Sequence, residues 1–95
     1  MTIQGYSDAL GIDLVIRRYA QQDNRWTAQF ENCEVKDTKS SPILAGVYGS
    51  GDCPQTAVRD YIASIGGKTL VFKAYSEARA EYRVPYGLTY SEAHP

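Results

Sequence analysis

The hydrophobic period of this 95-residue chain changes close to its middle. Before residue 50 apolar side chains alternate with polar ones, as they do in strands with one buried face. From Pro54 they recur at helical spacing, at Ala57, Val58, Tyr61, Ile62 and Ile65. The pair Gly66-Gly67 then ends the helix, because glycine tolerates the left-handed conformation of a C-terminal cap. One helix among strands predicts an α+β fold in which the helix covers one face of an antiparallel sheet.

Alternating segments predict the strands on both sides of this helix. They cover residues 12–19, a stretch around Trp26, Ala28 and Phe30, residues 42–48 and residues 68–74. Residues 21–24 form the turn of a hairpin, and the polar stretch 34–41 is predicted to be a loop. The order is therefore β-β-β-α-β, and residues 81–84 are a possible extra C-terminal edge strand that ends at Pro85.

Length and composition predict one small domain, residues 1–95, with a core from about 10 to 85 and a tail at 86–95. The N-terminus lacks the pattern of a signal peptide, and no apolar run approaches the ~20 residues of a membrane span. The predicted compartment is the cytoplasm, where Cys33 and Cys53 are expected to be free thiols. Ten basic and eleven acidic side chains give a net charge of -1. This balance disfavours binding to nucleic acid.

The stretch VYGSGDCP, residues 47–54, is the one segment that resembles a phosphate-binding loop. Pro54 stands where a dinucleotide fingerprint needs its third glycine, and no lysine follows where a P-loop requires one. We therefore interpret it as a strand-to-helix corner, with Asp52 or Cys53 at the cap and Pro54 at the first helical position. An anion site at this helix terminus is the alternative.

No group of residues has the spacing of a catalytic or metal site. Cys53 at a helix terminus would need a base, and the one histidine is His94 in the tail. Two cysteines and one histidine without CxxC or HxxxH spacing do not form an ordinary zinc site. The chain is therefore predicted to be no enzyme, with no catalytic residue, metal or cofactor.

The sheet face opposite the helix is the predicted binding surface. Alternation places on it Val15, Arg17, Tyr19, Thr27, Gln29, Leu44, Tyr48, Val71 and Lys73. From this set Arg17, Tyr19, Tyr48 and Lys73 are candidate residues for binding a protein partner or a nucleotide-type ligand. Three alternatives remain open for this face: it binds single-stranded nucleic acid, it pairs with a second copy in a homodimer through the open sheet, or the tail covers it.

The C-terminal segment repeats tyrosine every fourth residue, at Tyr82, Tyr86 and Tyr90, with Arg79 and Arg83 nearby. Pro85 and Gly87 exclude a helical stripe. The segment either docks on the body of the domain or serves as a flexible recognition arm. Four of its residues complete the candidate binding set, namely Arg79, Tyr82, Arg83 and Tyr86.

The predicted order β-β-β-α-β, with GSGDCP leading into a helix that begins PQTAVRDY, resembles the HicB-like antitoxin domain. A string of residues from Tyr48 to Pro85 is similar to small bacteriophage and prophage proteins. These resemblances imply a stand-alone binding module of a phage or mobile element that neutralises a protein partner, either as an antitoxin-like factor or in counter-defence. The few residues after Pro85 leave no room for the DNA-binding segment of HicB-like proteins, so DNA binding is not implied.

Overall fold

The α+β fold expected from the sequence is confirmed in a computed structural model that describes residues 1–21, 23, 25–38 and 43–91. Two helices and two three-stranded antiparallel sheets form it. The helices are α1 (Ile3–Leu10) and α2 (Pro54–Ile65). The strands are β1 (Leu14–Tyr19), β2 (Arg25–Phe30), β3 (Cys33–Lys36), β4 (Gly49–Gly51), β5 (Thr69–Phe72) and β6 (Ala80–Arg83).

The first sheet has the strand order β1-β2-β4. Its β1–β2 hairpin has the predicted alternation, with Leu14 opposite Phe30 and Tyr19 opposite Arg25. Helix α2 packs against one face of this sheet, where Ala28 and Phe30 are completely buried. The predicted helix and hairpin are therefore confirmed.

The second sheet, of order β3-β5-β6, differs from the single sheet that was predicted. Strand β6 lies at its edge, which confirms the extra C-terminal strand. Strand β3 was wrongly predicted to belong to a loop, because its sequence is polar. Its Lys36 is nevertheless 6% exposed, and its ammonium group lies 2.9 Å from a carboxylate oxygen of Glu81. An ion pair thus allows a charged residue to be buried in a strand.

The strand predicted at 42–48 does not form in the described residues, and Pro42 lies outside them. Within this stretch Ala45 forms a bridge with Val35, and the strand before the helix is β4 instead.

Gly49 and Gly51 lack side chains at the point where β4 touches α2. A Cβ on Gly49 would overlap the Ala57 carbonyl oxygen, and one on Gly51 would lie 2.7 Å from Thr56 Cβ. Neither glycine has a positive φ, so both permit close packing rather than the expected bend.

Helix α1 is an element that the sequence pattern missed. It has eight residues with Gly5 among them, too few for a clear period and of low helix propensity. The Thr2 hydroxyl accepts a hydrogen bond from the Gly5 N–H (3.0 Å), and Gly11 ends the helix at φ 69°. Since Ile3 and Leu88 are both buried, the core extends beyond the predicted range of 10–85.

One hydrophobic cluster joins the two sheets and both helices. Phe30 lies at its centre, with edge-to-face contacts to the rings of Tyr6 (6.0 Å) and Tyr61 (5.8 Å). The Phe30 N–H donates to the Tyr61 hydroxyl at 3.0 Å, and burial raises the pKa of Tyr61. Trp26, in the same strand as Phe30, is only partly buried and packs against the cluster.

The C-terminal segment docks on the N-terminus as far as Ser91. The Ile3 N–H donates to the Thr89 carbonyl (2.7 Å), and the Thr89 N–H donates to the Met1 carbonyl (3.1 Å). The Gln4 side chain exchanges two hydrogen bonds with the Ser91 backbone. The tail residue His94 lies outside the described residues. Neither helix is long and apolar enough to cross a membrane.

Candidate binding surface

The candidate site is the face of the first sheet that points away from α2, called here the outer face. Because side chains alternate along a strand, every second residue of the β1–β2 hairpin lies on the outer face. Tyr48, in the loop before β4, and Ser50, in the middle of β4, complete this face. The register puts Arg17, Thr27 and Ser50 in one row across the three strands. The outer face consists of Val15, Arg17, Tyr19, Arg25, Thr27, Gln29, Tyr48 and Ser50.

Two shallow cavities lie on the outer face. The first, of about 280 Å³, is lined by Val15, Arg17, Tyr19, Thr27, Gln29, Glu31 and Asn32. The second, of about 390 Å³, is lined by Tyr19, Arg25, Thr27, Gln29, Tyr48 and Ser50. Because Tyr19, Thr27 and Gln29 line both, the cavities form one continuous surface.

The outer face is both cationic and aromatic. The Arg25 guanidinium donates to the Ser50 hydroxyl at 3.2 Å, whereas Arg17 makes no ion pair with any described residue. Of the described residues that line the cavities, Glu31 alone carries a carboxylate. Tyr19 is 40% exposed and Tyr48 57% exposed, although both are large aromatic residues. The surface thus offers positive charge and ring area to an anionic partner.

The structure brings together Arg17, Tyr19 and Tyr48 from the predicted site. Sequence reasoning missed Arg25 and Ser50. Arg25 shares the alternation of Thr27 and Gln29, which was a usable signal, but it lies directly after the turn. Ser50 was assigned to the corner and so was not considered as a strand residue. Val71, expected on the same face, is buried in the second sheet.

Lys73 lies beside the outer face rather than on it. It occupies the turn after β5 with φ 50°, and its ammonium group is 5.1 Å from the centre of the Phe72 ring. It lines a third cavity, of about 550 Å³, together with Gln29 and Tyr75. Gln29 therefore connects this cavity to the outer face.

The other four predicted site residues line neither cavity of the outer face. Arg79 forms an ion pair with Glu81 at 2.9 Å, and Tyr82 is partly buried against the core. The pKa of Glu81 lies below its ordinary value, first because of the hydrogen bond from Lys36 and then because of that from Arg79. Arg83 is exposed on β6, and the 79% exposed Tyr86 lies over Gly67.

Cys53 occupies the N-cap position of α2 without a side-chain capping hydrogen bond, and Pro54 takes the first helical position as predicted. The Cys53 sulfur lies 3.0 Å from the Thr56 hydroxyl oxygen. This hydrogen bond is the largest cause of a lowered pKa at Cys53, and the neighbouring Asp52 opposes it. Burial instead raises the pKa of Cys33 to about 12. Both thiols are free, and the described residues contain no cluster of ligands that could hold a metal.

The two thiols should therefore differ in reactivity. A lowered pKa increases the thiolate fraction of Cys53 near neutral pH, whereas Cys33 stays protonated until the pH approaches 12. In a titration with a thiol-reactive disulfide reagent at pH 7 to 8, we expect one fast thiol, and Cys53→Ser should remove it. The second thiol, that of Cys33, should react much more slowly in the folded protein. Equal rates for both thiols in the folded protein would contradict this assignment.

The chain matches no family model, no curated protein and no solved structure. The predicted strand-to-helix corner is present, since β4 ends at Gly51 and α2 begins at Pro54. The order of elements differs from the predicted β-β-β-α-β, because α1 precedes the strands and four strands rather than three precede α2.

Proposed function

We propose that this protein is a non-enzymatic binding protein that inhibits or neutralises a protein partner by occupying it stoichiometrically through the outer face. One observation carries the proposal: two exposed tyrosines and an arginine without an ion pair lie together on a sheet face that the described residues leave open. Tyrosine and arginine are enriched where proteins bind each other, because they combine large contact area with directional polar groups.

The charge of the outer face indicates the chemistry of the partner. Among the described residues that line the cavities, Glu31 at the rim is the one carboxylate opposing Arg17 and Arg25, so the fitting surface carries carboxylates. Thr27, Gln29 and Ser50 add neutral donors and acceptors between the rings of Tyr19 and Tyr48.

A more specific proposal starts from the resemblance of the GSGDCP corner and of the residues from Tyr48 to Pro85 to HicB-like domains and small bacteriophage proteins, although no family model matches the chain. In this proposal a phage or mobile element encodes the protein, which acts in the bacterial cytoplasm on a host protein. The action is antitoxin-like or serves counter-defence. A stoichiometric mode is consistent with this role, because occlusion needs a surface and no reacting group.

The proposal is tested by comparing variants of the outer face with a matched variant of the second sheet. Tagged wild type, Arg17→Glu with Tyr19→Ala, and Arg83→Glu are expressed in the bacterial host, and the co-purifying protein is identified and then purified. We expect wild type and Arg83→Glu to form a 1:1 complex with it, measured by light scattering after size exclusion. The outer-face variant should lose affinity by about 100-fold, as expected for two central interface residues.

Two results would contradict the proposal. One is a partner that binds the outer-face variant as tightly as it binds wild type. The other is turnover of a nucleotide or nucleic acid by the purified protein that a single substitution abolishes. Circular dichroism of each variant checks folding, and all three substituted residues are exposed.

A nucleotide-type ligand is the second candidate, and the smaller cavity favours it. There Arg17 and Tyr19 lie beside Thr27 and Gln29, a set that can pair with phosphate, stack on a base and hydrogen-bond its edge. Native mass spectrometry against a panel of linear and cyclic nucleotides separates the two candidates. Retention of one nucleotide by wild type, lost in Arg17→Glu, would favour the ligand over the protein partner.

A further inference from the structure

The outer edge of β1 presents backbone groups that have no partner among the described residues. The Glu31 N–H donates to the Asp13 carbonyl at 2.9 Å, so the odd-numbered residues of this segment bond to β2. In an antiparallel ladder the alternate residues point the other way. The N–H and C=O groups of Leu14, Ile16 and Arg18 therefore face outward.

The other three sheet edges each have a partner within the chain. The Ser50 N–H of β4 donates to the Asp60 carboxylate at 2.9 Å. Val35 of β3 exchanges hydrogen bonds of 2.9 and 2.8 Å with Ala45, and the Arg83 carbonyl of β6 accepts from the Tyr6 hydroxyl at 3.1 Å. Strand β1 is the longest edge strand, with six residues and neither proline nor glycine. Such an edge is a template for pairing with another strand.

We propose that β1 pairs with β1 of a second copy of this chain, antiparallel across a two-fold axis. The pairing is isologous, because the same strand supplies both sides. The two first sheets then form one six-stranded sheet, and their outer faces join. This inference does not depend on the proposed function, because self-association is measured without any partner or ligand.

Charge and hydrophobicity select the register of this pairing. With Val15 opposite Val15, Leu14 of one copy lies opposite Ile16 of the other, and Arg17 lies opposite Asp13. Leu14 and Ile16 are only partly buried within one chain, and Asp13 and Arg17 are exposed. Centring the pair on Arg17 would instead oppose two arginines, which is destabilising. The chosen register therefore covers apolar surface and forms two ion pairs.

A charge exchange tests both the dimer and its register. Sedimentation velocity over a concentration series is run on wild type, Arg17→Glu, Asp13→Arg and the double variant. We expect a concentration-dependent dimer for wild type. Each single reversal should weaken it by about tenfold or more, because two ion pairs become like-charge contacts. The double variant should recover the wild-type dissociation constant to within about threefold, since it restores both pairs with exchanged charges.

Arg83→Glu is the control for net charge, because it changes an exposed arginine at an edge of the second sheet. It should leave the dimer unchanged. A wild-type protein that is monomeric at every concentration would overturn the proposal. A dimer that tolerates both single reversals, or one that the double variant fails to restore, would overturn it as well. Thermal unfolding of each variant excludes a folding defect as the cause.

Discussion

Replacing Gly49 with alanine is expected to destabilise the protein by about 3 kcal/mol or more, at the upper end of the cost of overpacking. The added Cβ would overlap the Ala57 carbonyl oxygen and the Tyr61 amide nitrogen, and it would lie 2.6 Å from Tyr61 Cβ. Two of these atoms belong to the helix backbone, so no side-chain rotation can make room. Strand β4 would have to move away from α2.

Gly46→Ala is the matched control for this prediction. A Cβ at Gly46 meets no described heavy atom within 4 Å, and the residue has no positive φ. Its stability should stay within about 1 kcal/mol of wild type. Urea unfolding followed by circular dichroism gives both free energies. Equal stability of the two variants would show that β4 and α2 are not in close contact.

Replacing Phe30 with alanine is expected to cost about 3 to 5 kcal/mol, the range for truncating a buried aromatic residue. Its ring is completely buried and contacts both Tyr6 and Tyr61, which come from α1 and α2. The substitution would therefore leave a cavity where both helices now contact the same ring. In a domain of this size the loss is comparable with the whole stability.

Two milder substitutions calibrate the loss at Phe30. Tyr61→Phe keeps the ring but removes the acceptor of the buried Phe30 N–H, so we expect a cost of about 1 to 3 kcal/mol. Trp26→Ala should cost less than Phe30→Ala, because Trp26 is only partly buried. Thermal unfolding ranks the three variants. A larger loss of stability in Trp26→Ala than in Phe30→Ala would contradict the conclusion that Phe30 lies at the centre of the core.

The sequence predicted the elements whose periodicity is local. Helix α2 and the β1–β2 hairpin each have a clear apolar period and end at glycine or polar turn residues. The edge strand β6 was predicted from its position just before Pro85, which cannot continue a ladder. In these segments burial of one face dictates the choice of side chains, so the pattern reports the structure.

Other elements depend on long-range contacts, which the local spacing of apolar residues does not reveal. Strand β3 contains Glu34 and Lys36, and the burial of Lys36 is made possible by Glu81, which lies 45 residues later in the chain. Strand β4 contains two glycines whose role is set by the helix that packs on them. Helix α1 is too short to show a period. The division into two sheets follows from these long-range pairings, so local spacing could not reveal it.

The part of the candidate site that lies on the β1–β2 hairpin could be predicted, because its residues alternate between the two faces of the sheet. Arg17, Tyr19, Thr27 and Gln29 lie on the outer face because residues two apart in a strand share a side. The four C-terminal candidates line neither cavity of this face. Their tyrosine repeat is explained in part by docking, since Tyr82 and Tyr90 are partly buried against the core.

Site-specific photo-crosslinking tests most directly whether the outer face is the binding surface. A photoreactive phenylalanine derivative replaces Tyr48 in one variant and Tyr86 in another, both of them exposed tyrosines, on the outer face and after β6 respectively. After irradiation in the bacterial host, the derivative at position 48 should give one adduct of defined mass, which Arg17→Glu in the same chain abolishes. The derivative at position 86 should give none. An adduct at position 86 and none at position 48 would contradict the account.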